Sequence, residues 1–178
     1  CDHIIVGGGI ANTFLLASGK EVGASLAEPE MVDAAKNILQ MDNVNVPLPV
    51  DVRVAKEFSG EAVATIKSID DIEKDELILD IGPQTAEAYC NIINETSTTI
   101  WNGPLGVFEF KAFSEGTQAL GHAVSENQGF TIVGGGDTVA VVEALGITKK
   151  ISYISTGGGA FLAFVQNGSL PILDLLGE

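Results

Sequence analysis

Five times along the chain, a short run of apolar, β-favouring residues is followed by a glycine-rich turn and then by an apolar segment of helical spacing. His3 to Val6 leads into Gly7-Gly8-Gly9 and a helical pattern from Ile10 to Ser18, and Leu77 to Asp80 leads into Gly82-Pro83 and a helix near Thr85 to Glu95. Thr99 to Trp101 leads into Asn102-Gly103-Pro104-Leu105-Gly106, with helical spacing resuming from Ala112 to Glu126. Phe130 to Val133 precedes Gly134-Gly135-Gly136-Asp137 and a helix to about Leu145, and Ile151 to Ser155 precedes Thr156-Gly157-Gly158-Gly159 and a helix near Ala160 to Val165.

Runs such as Phe130 to Val133 are apolar throughout, as expected of strands covered on both faces by helices. The pattern predicts an α/β fold with a doubly wound parallel sheet of about six strands, a Rossmann-like three-layer α/β/α arrangement. A further helix is predicted over Pro29 to Gln40, where Met31, Val32, Ala35, Ile38 and Leu39 form one apolar face and Pro29 suits a first turn. Leu48 to Val54 and Ala62 to Ile69 alternate with a period of two, which predicts a small antiparallel appendage of half-exposed strands. No linker or low-complexity segment interrupts the pattern, so residues 1–178 are expected to form one domain.

Glycine sharpens the picture. It supplies 21 of 178 residues, against roughly 7% in average proteins, and nine of the 21 stand in three GGG triplets. In an open α/β sheet, ligands bind beyond the carboxyl ends of the strands, where all these turns are expected to share one rim. Glycine lets backbone approach a ligand, and helix N-termini offer unpaired N–H groups suited to phosphate. One triplet alone is explained by a tight turn; three on one rim point to a phosphorylated ligand. The G-x-G-x-x-G dinucleotide fingerprint fails, because Asn12, Val139 and Leu162 stand where a third small residue is needed. There is neither a G-x-x-x-x-G-K-[ST] phosphate loop nor a G-x-S-x-G elbow, and His3 and His122 have no nucleophile in pattern with them.

Asp137 follows a GGG triplet at the start of a predicted helix. Two roles are open to it: a first-turn acid favoured by the helix dipole, or a Mg²⁺ ligand acting with nucleotide phosphates and water. Glu109 lies just beyond the Asn102 to Gly106 turn, either as a ribose acceptor or as a solvated surface acid. The net charge of −15, from 24 acids against 9 bases, excludes a polyanionic nucleic acid as partner. No apolar run reaches the roughly 18 residues of a membrane span, so no membrane partner is expected and the expected location is cytoplasmic. Cys1 and Cys90 are too few for a disulfide framework.

Four segments in order, GGGIANTF (Gly7 to Phe14), WNGPLGVFE (Trp101 to Glu109), GGGDT (Gly134 to Thr138) and STGGGA (Ser155 to Ala160), resemble the motifs of the phosphoglycerate kinases. LPVDVRV (Leu48 to Val54) and LDIG (Leu79 to Gly82) extend the resemblance over essentially the whole chain. It implies the nucleotide-binding C-terminal domain of an enzyme that passes a phosphoryl group reversibly between 1,3-bisphosphoglycerate with ADP and 3-phosphoglycerate with ATP in glycolysis. By resemblance, Gly8, Gly9, Phe58, Leu79, Pro104 and Val107 line the adenine slot, Glu109 binds the ribose, and Asn102 faces the phosphates. Asp137 holds Mg²⁺, Thr138 touches phosphate oxygens, and Gly135, Thr156, Gly157 and Gly158 also belong to the nucleotide site. The amides of Gly136 and Gly159 face the phosphoryl group in transit. Family members also carry an N-terminal domain with a basic patch for the phosphoglycerate and a Gly-Lys-Val segment before the first GGG; neither is in this sequence. Phosphoglycerate is therefore expected as a partner only together with that domain, and the chain alone is expected to bind ADP or ATP without turnover. Ile78 stands where many relatives place glycine beside the adenine slot. The alternative of another class is a non-catalytic nucleotide-binding or interaction module.

Overall fold

A computed structural model describes residues 1–169. They fall into two compact units, the first made of residues 1–92 with 104–120 and the second of 93–103 with residues from 121 onward. The architecture is α/β, with a parallel sheet and a small antiparallel sheet. Among the described residues, no helix is long and apolar enough to cross a membrane.

In the first unit, helix α1 (Gly8–Ala17) follows the first glycine triplet, and α2 (Val32–Leu39) follows a 3-10 turn at Pro29–Met31. The proline opens the turn, where its missing N–H costs nothing. Ala11 and Phe14 of α1 pack with Val6 and Ala35, which joins the two helices. Leu15, on the adjoining side of α1, packs with Val22, Val52, Val54 and Ile69. This second cluster sits against strand β1 (Asp51–Ala55), the centre of an antiparallel sheet in the order β2-β1-β3 with β2 (Thr65–Ser68) and β3 (Leu77–Ile81). A third cluster, Ala55, Ala62, Leu79 and Phe113, closes the other end.

Three expectations change here. The run His3 to Val6 is not a strand; it makes one isolated bridge, His3 to Asn45. Leu77–Ile81 pairs antiparallel with β1 rather than joining the parallel sheet, so the six strands form two sheets of three. The predicted alternating segment from Leu48 begins as a strand only at Asp51, because Pro47 and Pro49 have no N–H to give to a ladder.

The second unit is built on a parallel sheet in the order β4-β5-β6, from β4 (Thr98–Trp101), β5 (Phe130–Gly134) and β6 (Tyr153–Ser155). Helices α3 (Pro83–Glu95) and α4 (Glu115–Glu126) begin in the first unit and end in the second, whereas α5 (Gly136–Ala144), after β5, and α6 (Gly159–Asn167), after β6, belong to the second alone. Val133, Val142, Val141 and Trp101 are buried in this unit.

Candidate functional site

The helices differ in how their first turns are satisfied. At the start of α3, the amides of Gln84 and Thr85 donate to the two carboxylate oxygens of Asp51 at 3.0 and 2.8 Å. At the start of α4, the Gly116 amide donates to Asp80 Oδ2 at 2.8 Å. The three helices led by glycine triplets have no such partner: α1, α5 and α6 are preceded by Gly7, Gly135 and Gly158, and none has a side-chain cap. Helix α2 also lacks one, but it continues out of a 3-10 turn and carries Asp33 in its own first turn. Backbone oxygens take some of these amides, Leu105 O that of Gly8 and Gly157 and Gly158 O those of Ala160 and Phe161, and no side chain competes for the rest at the positive end of each helix dipole.

In the second unit the parallel register sets Trp101 beside Val133 and Gly134 beside Ser155. The turns after β4, β5 and β6 therefore leave the carboxyl ends of adjacent strands, as the sequence predicts for this part of the rim. Asn102 is exposed, and its amide lies so close to Gly135 that a Cβ there would stand 2.9 Å from Nδ2. Gly135 also has φ +90°, which favours glycine on conformational grounds. Gly136 and Asp137 are exposed in the first turn of α5. Thr138 is fully buried, and its hydroxyl accepts a hydrogen bond from the Gly103 amide at 2.6 Å. Thr156, Gly157 and Gly159 are exposed in the third turn, with half-buried Gly158 between them, and the Gly157 amide donates to buried Ser155 Oγ at 3.3 Å.

In the first unit, the segment from Pro104 to Val107 is fixed by hydrogen bonds from several elements. Gly8 N donates to Leu105 O at 2.9 Å and Val107 N to Leu79 O at 2.8 Å. The Leu105 and Gly106 amides both donate to Thr117 Oγ1, at 3.1 and 3.3 Å. These bonds bring Gly8, Leu79, Pro104 and Val107 into one neighbourhood. Leu79 itself is buried, and Gly8, Leu79 and Leu105 border a hollow of about 20 Å³, room for about one water. Gly9 faces the Leu26 side chain, and Phe58, 65% exposed, has its ring 5.0 Å from that of Phe110. Glu109, next to Phe110 in the chain, is exposed. A wider open depression of about 690 Å³ lies elsewhere on this unit, at β2, and none of the predicted site residues lines it. Its two lysines are already paired, Lys20 with Asp70 and Lys67 with Glu73 and Glu76.

Asp80 underlies the Pro104 to Val107 segment. Its carboxylate accepts the Ile81 and Gly116 amides at 2.9 and 2.8 Å, and a Cβ on Gly106 would stand 2.4 Å from Oδ1. Burial pushes this carboxyl up to about 7, although the Gly116 and Ile81 amides and the nearby Arg53 act in the opposite direction. Arg53 is itself paired with Glu115, which leaves Asp80 only part of its charge. Sequence reasoning gave no role to Asp80 and Thr117, which accept backbone amides, or to Trp101, whose indole N–H donates to Gly103 O at 2.8 Å. Their partners lie far along the chain or are backbone atoms, so spacing carries no signal of them; Trp101 alone is conspicuous, as the single tryptophan.

Among the described residues there is no cluster of three or more metal-ligating side chains. Asp137 makes no ion pair or cap among them. One free carboxylate at an open helix N-terminus fits a Mg²⁺ ion whose remaining ligands are phosphate oxygens and water, and does not fit a metal held by protein alone.

A model of the phosphoglycerate kinase family matches residues 1–168. The phosphoglycerate kinase of Coxiella burnetii is similar at 49% identity and a TM-score of 0.94, over 98% of this chain and 46% of that one. The enzyme of Pyrococcus horikoshii is similar at 32% identity and a TM-score of 0.81, over 98% of this chain and 44% of its own. The chain thus spans less than half the length of either solved relative, and across that span motifs, fold and family model agree that it belongs to the phosphoglycerate kinase family.

Proposed function

We propose that this chain supplies the Mg-ADP and Mg-ATP site of a phosphoglycerate kinase, for reversible phosphoryl transfer between 1,3-bisphosphoglycerate and ADP. The observation that carries this reading is the set of uncapped, glycine-led helix N-termini, with the free Asp137 one residue inside α5. Gly8, Gly9, Phe58, Leu79, Pro104 and Val107 take the base and Glu109 the ribose. Asn102, Gly135 and the Thr156 to Gly158 turn take the phosphates and Asp137 holds the cation, while Thr138, fully buried with its hydroxyl on the Gly103 amide, supports the phosphate turn from behind. Bound Mg²⁺ supplies neutralising charge to the phosphates. Nothing lies within 4 Å of where a Cβ would stand on Gly136 or Gly159, so a ligand can approach the backbone there, and their amides are suited to stabilising charge on the phosphoryl group in transit. The only arginine, Arg53, is engaged with Glu115, so this chain offers no guanidinium to phosphoglycerate. The 178-residue chain alone is expected to bind nucleotide without turnover.

Calorimetric titration with ADP, with and without Mg²⁺, tests the proposal. Asp137→Asn keeps the shape and helix preference of the residue but makes a poorer ligand for a hard cation. It is expected to leave metal-free ADP affinity within about twofold and stability within about 1 kcal/mol, while most of the affinity gained on adding Mg²⁺ is lost. The same Mg²⁺ dependence in both variants would refute the metal role, and no ADP binding by the unchanged chain would refute the nucleotide reading.

A further inference from the structure

Gly103 is held from both sides by side chains. At the end of β4, Trp101 is 5% exposed, and its indole Nε1–H donates to Gly103 O at 2.8 Å. From the first turn of α5, the fully buried Thr138 accepts the Gly103 amide at 2.6 Å. Both polar groups of one turn residue are therefore committed to side chains of two different elements. Gly103 has φ +111°, so the turn bends there in a conformation that these two bonds select. The indole is seated by α4, where a Cβ on Gly121 would lie 3.2 Å from Cη2. The residue between the indole and the clamped glycine is Asn102, exposed and resting against Gly135.

We propose that Trp101 is a positioning residue for phosphate recognition: with Thr138 it clamps Gly103 and so fixes the direction of Asn102 and of the turn facing the phosphates. The inference rests on the nucleotide reading above. Trp101 is buried, so it acts through the turn and not by touching the ligand. A turn fixed before binding has no ordering cost to meet when the phosphates arrive. The effect therefore belongs to the phosphates, which Asn102 is proposed to face, and not to the base or ribose.

The test compares Trp101→Phe, which removes the N–H and keeps an aromatic ring, with the unchanged chain. Dissociation constants for ADP and for adenosine are measured by NMR titration, and hydrogen exchange is followed at the Gly103 amide. Trp101→Phe is expected to weaken ADP about tenfold, leave adenosine within about twofold, and speed Gly103 exchange at least tenfold. If the smaller ring prevents folding, Thr138→Val breaks the clamp from the other side and should give the same ADP-selective loss, with Thr138→Ser restoring both affinity and protection. Equal weakening of ADP and adenosine would mean a general loss of structure and would overturn the proposal, as would unchanged Gly103 exchange. Failure of the unchanged chain to bind ADP would overturn the nucleotide reading and this inference with it, whereas normal ADP binding with no variant effect overturns the clamp alone.

Discussion

Between pH 3 and pH 8, the stability of this protein relative to its Asp80→Asn variant is expected to fall by about 4 kcal/mol as the pH rises. Burial holds the Asp80 carboxyl at about 7 in the folded state, against about 3.9 in an unfolded chain. The folded state therefore binds the proton more tightly, and the unfolded state carries fewer protons throughout the window between those values. Stability linked to this group is fully present below about pH 4 and is lost as the pH rises through about 7. A gap of about three pKa units corresponds to about 4 kcal/mol. The variant removes the titration but turns an amide N–H toward one of the two backbone donors, Ile81 or Gly116, at a pH-independent cost of about 1–3 kcal/mol. Urea unfolding of both proteins at half-unit steps of pH measures the difference. The protein's other carboxylates titrate in both and cancel, so a flat difference between pH 4 and 7 would show that Asp80 ionises normally in the fold.

Asp51→Ala is expected to cost about 3–5 kcal/mol, a large part of the roughly 5–15 kcal/mol that holds a domain folded. Asp51 is 2% exposed and accepts three hydrogen bonds, from the Gln84 and Thr85 amides and from Thr85 Oγ1 at 2.7 Å. The same hydroxyl accepts the Val50 and Asp51 amides at 3.0 and 3.1 Å. Alanine leaves buried donors at the start of α3 without partners and removes its cap. Because the two side chains form one network, Asp51→Ala and Thr85→Val together should cost less than the sum of the single changes. Denaturant titrations of the four proteins in that cycle decide it; a single-variant cost below about 1 kcal/mol would mean that water or relaxation replaces the lost bonds.

What could be read in the sequence was what glycine and hydrophobic spacing encode locally. The strand, turn and helix order around Phe130 to Leu145 is continuous along the chain, and β5 and α5 fall where the pattern puts them. The alternating run ending at Val54 was harder, because Asp51 is polar by type yet buried, as the cap of a helix that begins 32 residues later. Leu77 to Ile81 has the apolar character of a parallel strand, but its pairing partner is chosen in three dimensions, and β1 takes it antiparallel. His3 to Val6 has strand composition without a strand's ladder, since only the bridge to Asn45 is available to it. For the candidate site, the glycine triplets and Asp137 were visible because their chemistry depends on residue type and adjacency. The bonds that hold the turns, from Thr117 to Leu105 and Gly106 or from Trp101 to Gly103, end on backbone atoms and leave no mark in residue type.

The interleaved division of the chain bears on the order in which it can mature during synthesis. Residues 93–103 belong to the second unit but are made before residues 104–120, which complete the first. The Gly8 amide waits for Leu105, and Asp80 waits for Gly116, so the segment around Gly8 cannot close its structure until synthesis has passed residue 120, more than a hundred residues later. At 5–20 residues per second, that is a delay of many seconds. Meanwhile Thr98 to Trp101 has been made and lacks its neighbour, since β5 begins only at Phe130. The first unit can close ahead of the second, but only after part of the second has already been made, and a ribosome-bound chain halted before residue 120 should present both an open sheet edge and an unfinished core to chaperones.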